Sequence, residues 1–264
     1  MTNPSTANRL TLEVSVRPDQ LAFDYGPGVV GPAAEFRRLD DIRPSLLDPL
    51  CSGPDPVYGI AMDVARERDL LILKQRMLLY GIVAYASGRL GNEPPRSQGH
   101  VHAIAPHSGW SPPELFEIIE GKAIVYAQQH AEDDPGPCIA VTAEKGDKVV
   151  VPPAWAHCVI NADPSRRLVF AAWCDRQYGF VYDKLRRRGG VAWFPVLNAD
   201  DEIKWRANPA YRTSKLDWHL ARNYPELDLL PEYGLYEQFL QDPDSIMWVS
   251  DPARKQQVWR NFRP

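Results

Sequence analysis

Two stretches decide how this chain reads. One is Gly99-His100-Val101-His102, followed by Glu114 and Gly121. The other is Gly146-Asp147-Lys148-Val149-Val150-Val151-Pro152-Pro153-Ala154-Trp155-Ala156-His157, followed by Asn161. On a strand, side chains at i and i+2 share a face, so His100 and His102 converge on one point; a helix would splay them by about 200°. Glu114 opens an apolar run that ends at Gly121. His157 follows a Val-rich strand that Pro152-Pro153 must stop, because proline donates nothing to a ladder. Three imidazoles and one carboxylate suit a first-row divalent ion such as Fe, Mn, Zn, Ni or Co. Spread over short β-segments, His100, His102, Glu114 and His157 predict one divalent transition metal held inside a small β-barrel. His107, His130 and His219 lack such company and read as surface or loop residues.

Working outward, apolar runs at 70–73, 77–86, 101–105, 115–119, 123–127, 138–141, 148–151, 158–160 and 168–173 alternate with Gly, Pro, Asn and Asp clusters. Short strands with turn signals between them predict an all-β sandwich or barrel. Glu120-Gly121 reads as a hairpin turn. Upstream, residues 9–16 alternate as a half-buried strand. Residues 18–58 are rich in Pro and Gly and predict an extended arm. Residues 63–70 fit one helical turn or a loop. Beyond about 198 the pattern turns helical, with helices predicted over 233–240 and 251–262. Ser250 or Asp251 would cap the second, with Pro252 in its first turn. Trp248, Trp259 and Phe262 predict that this tail docks, on its own barrel or on a second subunit. The chain thus divides into an N-terminal arm with strands (1–69), a barrel (70–197) and a C-terminal extension with helices (198–264).

The 264 residues are 44% apolar, enough for one sizeable core, and the net charge of −4 sets up no strong field. Nucleic-acid binding is not expected; Arg186-Arg187-Arg188 reads as a solvated turn. Cysteines 51, 138, 158 and 174 are scattered, the usage of reduced thiols in a cytosolic protein. The N-terminus carries no signal-peptide pattern, and no apolar run reaches membrane-helix length. The expectation is a cytoplasmic protein with no membrane partner. Apolar arms at both ends predict a homodimer through strand or helix exchange.

These two stretches resemble the paired motifs of the cupin superfamily, which implies a jelly-roll barrel. Glu114 to Gly121 fits the first motif, and Gly146, Pro152, His157 and Asn161 fit the second. Ala154 stands where the family has Gly, and Pro94 stands where a Gly is expected before His100. The gap from His102 to Glu114 is also long. More closely, the wording is similar to the cupin-type glucose-6-phosphate isomerases: Tyr80-Gly81-Ile82, Gly99-His100-Val101-His102, Pro113-Glu114-Leu115-Phe116, Glu120-Gly121-Lys122, Val151-Pro152-Pro153-Ala154-Trp155-Ala156-His157 and Tyr178-Gly179. Leu46-Leu47-Asp48-Pro49 and Pro56-Val57-Tyr58 add to the likeness, which covers roughly 36–195.

The resemblance implies a metal-dependent aldose–ketose isomerase acting on a small sugar or sugar phosphate. It places the metal on His100, His102, Glu114 and His157, the phosphate-binding segment near Ser97 and Gly99, and a pocket tyrosine at Tyr178. Several family positions differ here: Val83 replaces a Thr, Phe116 a Tyr and Trp173 a pocket Tyr, and Arg176-Gln177 falls where a His is usual. An arginine such as Arg176 or Arg96 would then supply the missing phosphate donors. Glu114 is the candidate base for moving a proton at C2, with Tyr178 as hydroxyl shuttle. Direct hydride shift is the other route. The alternatives are an isomerase of another sugar, an Fe(II) cupin oxygenase and a non-catalytic sugar-binding cupin, since one fold hosts many functions.

Overall fold

A computed structural model of the chain describes residues 12–17 and 20–264. The N-terminal arm is a set of short pairings. Strand β1 (Val14–Val16) pairs antiparallel with β2 (Phe23–Tyr25), and β3 (Val29–Val30) with β6 (Ala65–Arg66). The rest of the strand expected from residue 9 lies largely outside the described residues. Strand β4 (Glu35–Arg37) pairs antiparallel with β5 (Tyr58–Met62), with Arg37 opposite Tyr58. A one-turn helix, α1 (Leu39–Ile42), lies between them.

The run at 70–73 reads as a strand by composition but forms helix α2 (Leu70–Gln75). Short apolar runs are ambiguous by periodicity alone. Here Leu73 is buried in the core and Leu71 faces solvent. Leu70, three residues before Leu73, packs against the same cluster, which is helical spacing.

The barrel is built from β7 (Leu78–Tyr85), β8 (Val101–His102), β9 (Glu114–Glu120), β10 (Lys122–Gln128), β11 (Cys138–Glu144), β12 (Lys148–Val151), β13 (Ala156–Asn161), β14 (Leu168–Asp175) and β15 (Phe180–Val181). Its six-stranded sheet runs β12-β9-β14-β7-β5-β4. The facing sheet runs β13-β10-β11, with a fourth strand from the C-terminal extension at its edge. Pairs β9/β14, β14/β7 and β10/β13 are antiparallel, giving the two-sheet jelly roll expected from the motifs.

Glu120-Gly121 is not a hairpin turn: β9 and β10 lie in different sheets. Gly121 adopts φ +86°, and a Cβ there would come within 2.7 Å of the Arg167 carbonyl oxygen. The residue makes a corner between sheets where only glycine fits. Strand alternation sorts the side chains. Phe116, Val149, Val159, Phe170, Ala172 and Cys174 point into the barrel. Leu115, Val150, Ala171 and Trp173 point out from the six-stranded sheet, and Ile124, Tyr126, Cys158 and Ile160 from the other. Both faces of most strands are covered, which explains the continuous apolar runs.

The N-terminal arm and the chain after β15 supply that cover. After α3 (Asp183–Arg186), β16 (Trp193–Leu197) pairs with β17 (Ile203–Ala207), and β18 (Leu216–Leu220) adds parallel to β11. Helix α4 (Leu235–Gln241) lies on the outer face of the six-stranded sheet. Trp173 stacks on Tyr236 at 5.7 Å and donates its indole N–H to the Leu235 carbonyl at 3.2 Å. The helix expected over 251–262 breaks into a 3-10 turn, Pro252–Lys255, and one α-turn, α5 (Gln256–Trp259). Neither expected cap forms: Asp251 accepts from Arg254 at 3.2 Å, and Ser250 donates to the Arg76 carbonyl at 2.7 Å. Among the described residues, no helix is long and apolar enough to cross a membrane.

Glu117 ties the extension to the barrel by accepting the Leu235 N–H at 2.7 Å. Burial pushes its carboxyl up, only partly offset by the Leu235 N–H and Lys148. A carboxyl raised on folding binds its proton more tightly in the native state, so stability falls as pH rises through the raised value. Glu117→Gln keeps an acceptor for Leu235 without the buried charge. Its denaturation midpoint is therefore expected to gain on wild type as pH climbs above the ordinary value of 4.5. Urea titrations at several pH values check this; a gain independent of pH would contradict it.

Candidate metal centre

Three separate elements bring the four predicted donors together. His100 and His157 exchange two backbone hydrogen bonds, each 3.0 Å, which ties the segment before β8 to β13. His102, two residues on, lies on the same face. Glu114 is the first residue of β9. The ligand atoms of His100, His102, Glu114 and His157 all lie within 4.8 Å of one another. Glu114 Oε2 is 2.8 Å from His157 Nε2 and 3.3 Å from His102 Nε2, and the Nε2 atoms of His100 and His102 are 3.2 Å apart.

Backbone carbonyls set the tautomers. His102 Nδ1 lies 2.9 Å from the Pro112 carbonyl and His157 Nδ1 lies 3.1 Å from that of Trp155. A carbonyl only accepts, so both Nδ1 atoms carry the hydrogen and both Nε2 lone pairs face the cluster. The long segment between His102 and Glu114 thus has a local use: it delivers Pro112 to His102. His107, within that segment, meets the buried Asp175 carboxylate at 2.6 Å and pins the loop to the end of β14. His219 is exposed on β18, away from the cluster.

The electrostatics suit a cation. Burial, with His157 and His102 adding to it, pulls the His100 imidazole down to about 3. Burial alone would raise the Glu114 carboxyl, but the three imidazoles around it hold it well below the usual range. His100 is thus a neutral nitrogen donor and Glu114 an ionised carboxylate, and imidazole nitrogens with a carboxylate are the set that borderline divalent ions take. The other carboxylate oxygen is held by Cys174, whose thiol donates to Oε1 at 3.1 Å. Burial, then the charge of Glu114 itself, pushes that thiol up and keeps it protonated as a donor.

His100, Glu114 and His157 form part of the wall of a narrow cavity of about 50 Å³. Its polar lining is completed by Arg37, Tyr58, Tyr85, Ser97 and Tyr182, and its apolar lining includes Phe116, Phe170 and Phe180. Of the expected substrate contacts, Ser97 lines this cavity and Gly99 does not. Gly99 has φ +86°, and a Cβ there would meet Leu185 at 3.0 Å and Val191 at 3.2 Å, in the packing outside. Tyr178 is half-buried behind Phe180, 4.7 Å between ring centres, and Phe180 is the ring that faces His100 at 4.3 Å. Trp173 points outward and Cys174 takes the inward position beside it.

The two arginines expected as phosphate donors are committed elsewhere. Arg96 is wholly buried on Glu93 at 2.8 Å and on the Ser45 carbonyl at 2.6 Å. Arg176 forks onto Asp63 at 2.8 and 2.7 Å. The cavity arginine is Arg37, which sequence reasoning passed over. No local pattern marks it, because the pairing of β4 with β5 is what carries it there.

Ala154 holds φ +67° in the turn before His157, where its motif usually has Gly. A Cβ in the left-handed region costs about 1–2 kcal/mol. Ala154→Gly is expected to raise the unfolding free energy by about 0.5–1 kcal/mol after the added chain entropy of the unfolded state is counted. Denaturant titration measures it; a loss of stability would show the strain to be absent.

A model of the glucose-6-phosphate isomerase (GPI) family matches residues 42–212. Among curated proteins, the glucose-6-phosphate isomerase of Pyrococcus furiosus is 24% identical over 201 residues, covering 74% of this chain and 97% of the relative. Among solved structures, an oxalate oxidase is 15% identical at a TM-score of 0.32, over 40% of this chain and 46% of that one. The Bacillus subtilis oxalate decarboxylase, described with Mn(II) centres, is 19% identical at a TM-score of 0.35, over 48% of this chain and 28% of that one. The chain thus spans less than half the length of these two structures. The family match takes in the barrel, all four convergent side chains and the hairpin that follows, and the chain belongs to the glucose-6-phosphate isomerase family.

Proposed function

We propose that the chain interconverts glucose 6-phosphate and fructose 6-phosphate in the cavity beside His100, His102, Glu114 and His157, which hold one divalent transition metal. The observation that carries this reading is the convergence of three imidazole nitrogens and one carboxylate within 4.8 Å beside a cavity that also presents hydroxyl groups. When bound, the cation supplies a Lewis acid to the C1 and C2 oxygens of the sugar, where negative charge develops.

The protein's own groups do the rest. His102 and His157 are oriented by carbonyls, so little reorganisation is needed during the reaction. Glu114 is the carboxylate in the cavity lining, and it carries a proton between C1 and C2 on the enediol route. Cys174 fixes its Oε1, leaving Oε2 directed at the imidazoles and the substrate. Phe116, Phe170 and Phe180 exclude water from the exchanging proton. Ser97, Tyr58 and Tyr182 offer hydroxyls to the sugar. Tyr178 serves from behind by holding Phe180 over His100.

The test is a coupled assay on fructose 6-phosphate with chelated and reloaded protein. Chelation should abolish turnover, and Mn, Fe, Co, Ni or Zn added back should restore it. Glu114→Ala should lose metal and rate together. Glu114→Gln with metal bound and turnover unchanged would remove Glu114 from the base role.

All four thiols are free and buried, which favours a reducing, cytoplasmic setting. The aromatic tail packs on its own barrel, so a homodimer would use another surface. The edge strand β18 is the candidate, since Trp218 and Leu220 on it are exposed. Sedimentation should find a dimer, and Leu220→Lys should shift it to monomer; a monomeric wild type would end the proposal.

A further inference from the structure

The cavity contains a cation that the isomerase chemistry so far leaves unused. Arg37 lies on β4 and Glu114 on β9, with β14, β7 and β5 between them in one sheet. That sheet curls so that both residues line the same space. The Arg37 side chain is 19% exposed, and its ion-pair partner Glu35 is 69% exposed and outside the cavity lining. The partner carboxylate is therefore largely in water, where screening weakens its hold and lets another anion replace it.

The surroundings of Arg37 fit a phosphate better than a neutral hydroxyl. Tyr182 stands between the two ends of the cavity: its ring centre is 6.1 Å from that of His100, and the charge of Arg37 acts on its phenol. Tyr58 faces Arg37 across the β4/β5 pair. Both are phenols and offer O–H donors to the space beside Arg37. A guanidinium with neutral hydroxyl donors beside it matches a phosphoryl group, because arginine's planar fork binds such oxygens two at a time. Val83 in the lining offers no donor of its own, which leaves the charge of Arg37 to do the work.

We infer that Arg37 is the specificity-determining residue for the phosphate of the substrate, and that Glu35 competes with that phosphate for the guanidinium. The inference rests on the isomerase reading above and assigns the phosphate end of that same site.

The experiment uses the metal-loaded full chain with Arg37→Met, Arg37→Lys and Glu35→Gln. Three readouts are taken: KM and kcat on fructose 6-phosphate, inhibition by inorganic phosphate, and bound metal per chain. Arg37→Met should raise KM about 10- to 100-fold, with the loss falling on KM, and should abolish phosphate inhibition. Arg37→Lys should recover part of both. Glu35→Gln should move the other way, tightening phosphate about 2- to 5-fold. Metal content should match wild type throughout, which shows that the site is folded. Equal KM increases in Arg37→Met and Glu35→Gln would make the pair merely structural and overturn the inference, as would an unchanged KM in Arg37→Met. If wild type does not turn over fructose 6-phosphate, the isomerase reading fails by itself. Thermal stabilisation by inorganic phosphate then decides Arg37 separately: a shift lost in Arg37→Met upholds it, and no shift in wild type overturns it.

Discussion

A buried carboxylate surrounded by three imidazoles is the constraint on which the rest of the structure depends. Taken out of water, a carboxylate is costly unless hydrogen bonds or a counter-charge offset the loss. Glu114 accepts one hydrogen bond, from the Cys174 thiol, and three ring nitrogens surround its other oxygen. The carbonyls of Pro112 and Trp155 keep the lone pairs of His102 and His157 pointed at one spot. The order of the site is therefore built into the resting protein rather than imposed by whatever occupies it.

The barrel exists to hold that arrangement. Neighbouring residues on β9 do different work because a strand alternates its faces. Glu114 and Phe116 face the cavity, while Leu115 between them anchors the outer cover. Glu117 in turn meets the start of helix α4. One strand thus links the reactive carboxylate to the C-terminal extension, and the extension stabilises the wall in which Glu114 sits. The carbonyls of Pro112 and Trp155 come from the loop and turn beside two of the histidines, so loop geometry sets the tautomers.

Much of the site was legible in the sequence because its signals are local. The i, i+2 spacing of His100 and His102 and the Pro152-Pro153 stop before His157 each reflect rules that hold within a few residues. The readings that changed depend on distant contacts. Gly121 turns a corner rather than a hairpin because Arg167, far along the chain, occupies the space a side chain would need. Leu70 to Leu73 are helical, with Leu70 and Leu73 against the core and Leu71 in solvent. Trp173 faces out and Cys174 in, a one-residue difference in register that strand composition does not reveal.

By itself the sequence determined the donor types, the strand spacing that aligns two of them and the breaks that end each β-segment, since all three follow from backbone geometry over short distances. Only the tertiary structure decided which other groups share the cavity. Arg37, Tyr58 and Tyr182 come from separate stretches of chain and meet through the β4/β5 edge and the turn after β15. Arg96 and Arg176, equally charged on paper, are withdrawn by Glu93 and Asp63. The physical reason is that charge and hydrogen-bond capacity belong to a residue, whereas their availability depends on partners that folding brings from far along the chain.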